Sequence, residues 1–204
     1  KILCFSKVAR VRSILRNSTL GLLANYNEAM WSTYVDPYNL FTRIGPELRF
    51  VTYNALNDEI NSITDDEVKA YKADLESRYP VMEDVDDDKF YAAVRGSLGL
   101  AKLTENLGID MMIYNDIDPA MFKLIGHRPS FYPETYERIS SVLVPEADIG
   151  AGIITFVLKL ISGKHVNFIE PFHIYGDEGT FAGGHAGPND HNDPDFQKNV
   201  VIAR

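Results

Sequence analysis

Cysteine is nearly absent from this sequence: Cys4 is the sole thiol in 204 residues. No disulfide can form within the chain, and a reducing, cytoplasmic setting is expected. A membrane-spanning stretch is missing too. The longest apolar run, Ile149 to Ile161, is broken by Lys159 and falls short of the roughly 20 residues a spanning helix needs. Positive charge is scarce: 20 Lys and Arg stand against 29 Asp and Glu, a net charge of −9. Such a field repels phosphate backbones, so neither nucleic acid nor a membrane is expected as a partner. The chain opens Lys-Ile-Leu-Cys without methionine or signal-peptide pattern, and it closes on Val-Val-Ile-Ala-Arg, which reads as an interrupted strand. A piece of a longer protein is the expectation.

Several chemical signatures are also missing. There is no Walker motif, no zinc-type Cys/His pairing and no nucleophile elbow. Gly150-Ala151-Gly152 lacks the third glycine of a dinucleotide fingerprint and reads as a close helix contact. The acidic run Glu83 to Asp88 lacks the glycine and spacing of an EF-hand loop and reads as a solvated helix start. Cys4, in an apolar helical pattern, is expected in the core rather than as a nucleophile.

What is present is enough for one sizeable core: 45% of residues are hydrophobic and 24% charged. Helical spacing predicts a first helix over 2–16, a second from Pro37 to Ile44 stopped by Gly45-Pro46, and a third after the capping box Thr64-Asp65-Asp66-Glu67, ending before Pro80. A long helix follows the acidic run, roughly 89–106, and Gly108 closes it. Strands are expected at Thr19–Ala24, Arg49–Tyr53 and Ile109–Tyr114. This alternation predicts an α/β fold: an open, largely parallel sheet flanked by helices, Rossmann/flavodoxin-like. After Gly163 the pattern changes to β structure, with a hairpin around Gly176-Asp177-Glu178-Gly179. We therefore expect an α/β domain over 1–163 and the beginning of a β-rich, truncated domain over 164–204.

Three residues stand where polar turns meet apolar runs: Glu146 in Val-Pro-Glu-Ala-Asp, Glu170 in Phe-Ile-Glu-Pro and His185 in Gly-Gly-His-Ala. Two carboxylates and an imidazole form a mixed oxygen and nitrogen ligand set that suits a divalent ion such as Mn²⁺ and leaves carboxylates to move protons. Each also has a plain structural reading: a first-turn helix acid, a solvent-facing strand residue, a hydrogen-bonded loop histidine. Asn115 and Asp116 follow a strand, where open α/β sheets place ligands, and an Asx turn explains them equally. His191, in an Asn/Asp/Pro stretch, is a further candidate for substrate contact. His173 points away from Glu170 if its strand is regular.

Asn61-Ser-Ile-Thr-Asp-Asp-Glu-Val, Glu76-Ser-Arg-Tyr, the long helix to Gly108, and the order Pro-Glu-Ala-Asp, apolar helix, Ser162-Gly163, Phe-Ile-Glu, hairpin, Gly-His resemble the central domain of L-arabinose isomerases, with the L-fucose isomerases close behind. The resemblance spans nearly the whole chain through short matches. It implies a metal-dependent aldose–ketose isomerase working through an ene-diol, a bound Mn²⁺, a monosaccharide substrate and a homo-oligomer. It also implies Glu146, Glu170 and His185 as metal ligands, the two glutamates as acid and base, and a further ligand histidine beyond Arg204. On this resemblance the chain is the central domain plus the opening of the C-terminal one, inactive alone. Departures stand beside it: Ala147 replaces the family's glycine and Pro171 its acidic residue. A non-catalytic sugar-binding or regulatory module on the same scaffold is the alternative.

Overall fold

Four short runs become strands: three are apolar and covered on both faces, and one, at the sheet edge, stays largely exposed. In a computed structural model, which describes residues 1–125, 129, 131–185, 187, 189–198 and 200–203, they are β1 (Thr19–Leu23), β2 (Glu47–Val51), β3 (Met111–Tyr114) and β4 (Val142–Val144). All pair in parallel, in the order β2-β1-β3-β4. The result is an open parallel sheet flanked by helices, a Rossmann/flavodoxin-like α/β fold. That order leaves a switch point between β1 and β3, so the carboxyl ends of β1, β3 and β4 border one crevice.

Alternate residues of the strands enter different clusters. Leu20, Leu22, Met111, Ile113, Val142 and Val144 pack with Leu15, Ile149, Ile153 and Phe156. These come from α1 (Ile2–Arg16) and α8 (Ile149–Ser162). On the other face Leu23, Met112, Tyr114 and Leu143 meet Leu56, Leu100, Leu103, Met121 and Tyr136. Those belong to α3 (Tyr53–Ser62), α5 (Asp87–Asn106), α6 (Pro119–Ile125) and α7 (Thr135–Arg138). The period-2 alternation of a pleated strand thus divides the core into two layers. A third cluster joins α4 (Asp65–Arg78) and α5 to Ile202 from the end of the chain.

The caps follow the local chemistry. Thr64 and Glu67 satisfy each other's amides, completing the box that starts α4. Asp86 accepts from the Lys89 amide at 3.0 Å and opens α5 inside the acidic run. The second helix, α2 (Pro37–Asn39), passes into a π-helical turn, Leu40–Ile44, that ends at Gly45 with φ 127. Gly152 lies where a Cβ would come 2.4 Å from Ile113 Cδ1, so the close approach expected of Gly150-Ala151-Gly152 is that of α8 to β3.

Three expectations need correction. The Arg49–Tyr53 strand ends at Val51, and Tyr53 begins a helix absent from the sequence reading, because the Thr52 hydroxyl caps it by accepting from the Ala55 amide. The β structure expected after Gly163 begins only at Glu170: β5 (Glu170–Tyr175) pairs antiparallel with β6 (Thr180–Gly184), with a register shift between Pro171 and His173. Cys4 is exposed, as are Ile2, Leu3, Phe5 and Val8, because α1 buries only Val11 and Leu15 of its final turns.

α8 ends at Gly163, whose φ of 66 suits a glycine C-cap. Beyond the hairpin the chain returns to the helices: a last short helix, α9 (Pro194–Gln197), precedes Ile202, which bridges to Val81 in parallel. Among the described residues no helix is long and apolar enough to cross a membrane.

Helices α3 and α5 touch at Gly99, where a Cβ would lie 2.9 Å from Ile60 Cα. Backbone cannot yield as a side chain can. Gly99→Ala is therefore expected to destabilise the fold by about 1–3 kcal/mol despite alanine's better helix propensity, read as a lower urea midpoint with an unchanged slope.

Candidate metal centre

The loop after β4 builds this site. Glu146 and Ala147 both adopt left-handed backbone, φ 63 and 54, a conformation uncommon for residues with a Cβ. Neighbouring loops hold them there. The Glu146 amide donates to Asp116 Oδ1 at 2.9 Å, and its carbonyl accepts from Asn27 Nδ2 at 3.2 Å. The Ala147 amide donates to the Tyr114 carbonyl at 2.8 Å, and Asp148 caps α8 by accepting from the Ala151 amide at 2.8 Å. Asn27 follows β1, Asp116 follows β3 and Glu146 follows β4, so three carboxyl-terminal loops meet at this point.

Against this loop stands His185, just past β6. Its Nε2 lies 3.0 Å from Glu146 Oε1, and its ring meets Phe168 edge-on at 4.8 Å. With Glu146 ionised, Nε2 carries the hydrogen and donates. The His185 side chain is 6% exposed and that of Glu146 15%. Glu170, at the start of β5, is exposed and completes the group: one ligand atom from each of Glu146, Glu170 and His185 falls within 4.8 Å of the others.

The donor set fits a divalent ion. Two carboxylate oxygens and one imidazole nitrogen suit Mn²⁺ or a related ion. Glu146, Glu170 and His185 would hold such an ion, with Nε2 and Oε1 already 3.0 Å apart. His185 Nδ1 is buried without a hydrogen-bond partner among the described residues. If Nε2 gave its proton up to coordinate an ion, the hydrogen would sit on Nδ1.

Other candidates are placed differently. Asn115 and Asp116 reach the crevice but are buried, and Asn115 Oδ1 and Asp116 Oδ1 each accept from a backbone amide. Asn115 Oδ1 accepts from the Ile117 amide at 3.3 Å, an Asx turn, and Asp116 ties down Glu146. They shape the site; the contact the structure gives them is with the chain itself. His173 packs on Tyr175.

His191 is a correction. It is buried away from this group, with Nδ1 3.0 Å from the Tyr79 hydroxyl and Nε2 accepting from the Tyr132 amide at 3.3 Å. Tyr79 in turn donates to the His191 carbonyl at 3.0 Å. Both ring nitrogens are used, so the histidine fastens the returning chain and has no nitrogen left for a sugar.

Sequence reasoning passed over Asn27, Asp148 and Phe168. Asp148 had a legible signal, an acid three residues before Ala151 at a helix start. Asn27 offered only its place after a strand, and Phe168 none. A second group, Glu137, His165 and Asp190, also gathers within 4.8 Å.

Neither a scan against protein-family models nor a search of curated proteins returns a match for this chain.

Burial, with the nearby Arg78 charge adding to it, lowers His191 to a pKa of about 4. Its folded pKa lies below the unfolded value of about 6.5, so its neutral form stabilises the fold above that value. This contribution, on the order of 3 kcal/mol, is expected to vanish as pH falls from 6.5 to 4. Urea unfolding at pH 7 and pH 4.5 checks it: His191→Gln should be less stable than wild type at pH 7 and lose much less on acidification.

Proposed function

We propose that this chain carries the metal-binding half of an aldose–ketose isomerase site of the L-arabinose/L-fucose isomerase kind. The observation that carries the reading is the convergence of Glu146, Glu170 and His185, from two separate parts of the fold, to within 4.8 Å. These are the residues at which the family resemblance expects metal ligands. Ala147 adds support: it stands where the resemblance expects glycine, and its φ of 54 is one that glycine adopts without strain. Mn²⁺ is the ion the donor set and the resemblance favour, and a homo-oligomer acting on a monosaccharide in the cytoplasm completes the proposal.

Isomerisation moves a proton between adjacent sugar carbons through an ene-diol. A bound divalent ion supplies Lewis-acid stabilisation for the negative charge that develops on the sugar oxygens. The protein must supply the base. Glu146 is mostly buried, fixed by its backbone tethers and joined to His185, so it holds position. Glu170 is exposed and its carboxylate has no hydrogen bond to the described residues. We assign proton transfer to Glu170, since a carboxylate with open sides can reach the carbon-bound proton. Its pyrrolidine neighbour Pro171, where the family has an acid, leaves the second proton carrier to Glu146 or to water.

The test measures Mn²⁺ binding by titration calorimetry and ketose formation from a panel of aldoses by the intact gene product. Glu146→Gln and His185→Ala are expected to weaken Mn²⁺ by at least about tenfold. Glu170→Gln should fold normally and form no ketose, because an amide accepts no proton. An intact protein that binds an aldose but converts none would support the sugar-binding module instead.

A further inference from the structure

The hairpin that bears Glu170 and leads into His185 has little of its own to hold it. Its side chains stand in solvent: Phe172 is 67%, Ile174 72% and Phe181 57% exposed. A two-stranded ribbon is marginal in water without a sheet or helix to cover it. Whatever fixes Glu170 and His185 against Glu146 must therefore act where the excursion leaves the body and rejoins it.

Those two points touch. His165 Nδ1 lies 2.7 Å from Asp190 Oδ2, and the Asp190 amide donates to Asn167 Oδ1 at 2.5 Å. Asp190 is 2% exposed, and its other oxygen accepts from the Asn192 amide at 3.2 Å. From the same strand of chain Asn189 Nδ2 reaches the His185 carbonyl at 3.5 Å, linking this contact to the ligand itself. Asn192 continues the fastening, donating to the Tyr132 carbonyl at 3.1 Å.

We propose that His165 and Asp190 form a clasp that closes the base of residues 166–189 and so positions Glu170 and His185 against Glu146. The claim rests on the metal-site reading above, and the two residues are positioning residues that touch neither ion nor sugar.

The surroundings explain why a buried carboxylate is tolerated there. Glu137 Oε1, from α7, stands 3.7 Å from His165 Nδ1. Lys159, from α8, donates to Glu137 at 2.7 Å and to the Ser141 carbonyl at 2.9 Å. The Asp190 charge also acts on Tyr79 and Tyr132. Burial pushes the Asp190 carboxyl up, an effect that His165 partly offsets. Burial also acts on Glu137, but the Lys159 bond and charge, with the Asp190 bond and the His165 charge, together leave that carboxyl lowered. The lysine ammonium thus supplies a positive charge at Glu137. With Asp190 ionised, His165 must present Nδ1–H, a donor that an asparagine amide can replace in nearly the same position.

His165→Ala and His165→Asn separate positioning from simple structural support. Amide hydrogen exchange over 166–189, followed by mass spectrometry without metal, reads the clasp. Mn²⁺ titration reads its consequence. His165→Ala is expected to speed exchange across 166–189 by at least tenfold while leaving β3 and α5 protected, and to weaken Mn²⁺ by at least tenfold. His165→Asn should restore both to within about threefold of wild type. Unchanged exchange in His165→Ala, a loss of protection spread over the whole chain, or unchanged Mn²⁺ affinity would overturn the clasp. So would a second Mn²⁺ equivalent lost with His165, which would make the group a metal site in its own right. If the wild type binds no Mn²⁺, the metal-site reading fails, and the exchange of 166–189 alone decides the clasp.

Discussion

Asp116 reaches across from the end of β3 to take the backbone amide of Glu146, and the geometry of the candidate centre follows from that bond. Two successive residues with Cβ atoms sit in left-handed backbone at the end of β4, at a cost of order 1–3 kcal/mol each. A charged acceptor on the first amide, the Tyr114 carbonyl on the second and Asn27 on the Glu146 carbonyl offset that cost. The carboxylate of Glu146 is thereby aimed at His185 while α8 starts from its own cap at Asp148. Loops from three adjacent parallel strands contribute to one constraint, which an open sheet allows at its carboxyl edge.

The other half of the centre is built on a different principle. Glu146 is held by the body of the domain, whereas Glu170 lies on a ribbon whose side chains face water and His185 follows it in a largely buried position. One ligand is thus set in the domain body, one on an exposed strand and one in a largely buried position just beyond the ribbon. The arrangement transfers the burden of precision to the ends of the ribbon, where Asp190 pairs with His165 and Asn192, and His191 with Tyr79 and Tyr132. Burying those groups is tolerable only because each finds its hydrogen bonds.

Much of the scaffold was legible in the sequence. The alternation of short apolar runs with capped helices announced a parallel sheet, and Thr64-Asp65-Asp66-Glu67 announced the start of α4 to the residue. Helix α3 escaped because its cap, Thr52, follows directly on a strand with no polar turn between them. Cys4 misled because an apolar helical pattern says that a face exists, not that something covers it. At the site, Glu146, Glu170 and His185 could be named from residue type, position and family resemblance. Asp116 was named for a different task, since nothing local distinguishes a carboxylate that meets a ligand from one that meets an amide 30 residues away. His191 was unreadable for the same reason: its partners, Tyr79 and Tyr132, are set by tertiary packing.

The claim on which the account turns is that Glu146, Glu170 and His185 share one divalent ion. Crystals soaked in Mn²⁺ and measured at the manganese absorption edge test it directly. The account predicts one strong anomalous peak about 2.1–2.3 Å from a carboxylate oxygen of Glu146 and of Glu170 and from His185 Nε2. No peak there, or a peak only among Glu137, His165 and Asp190, would contradict it.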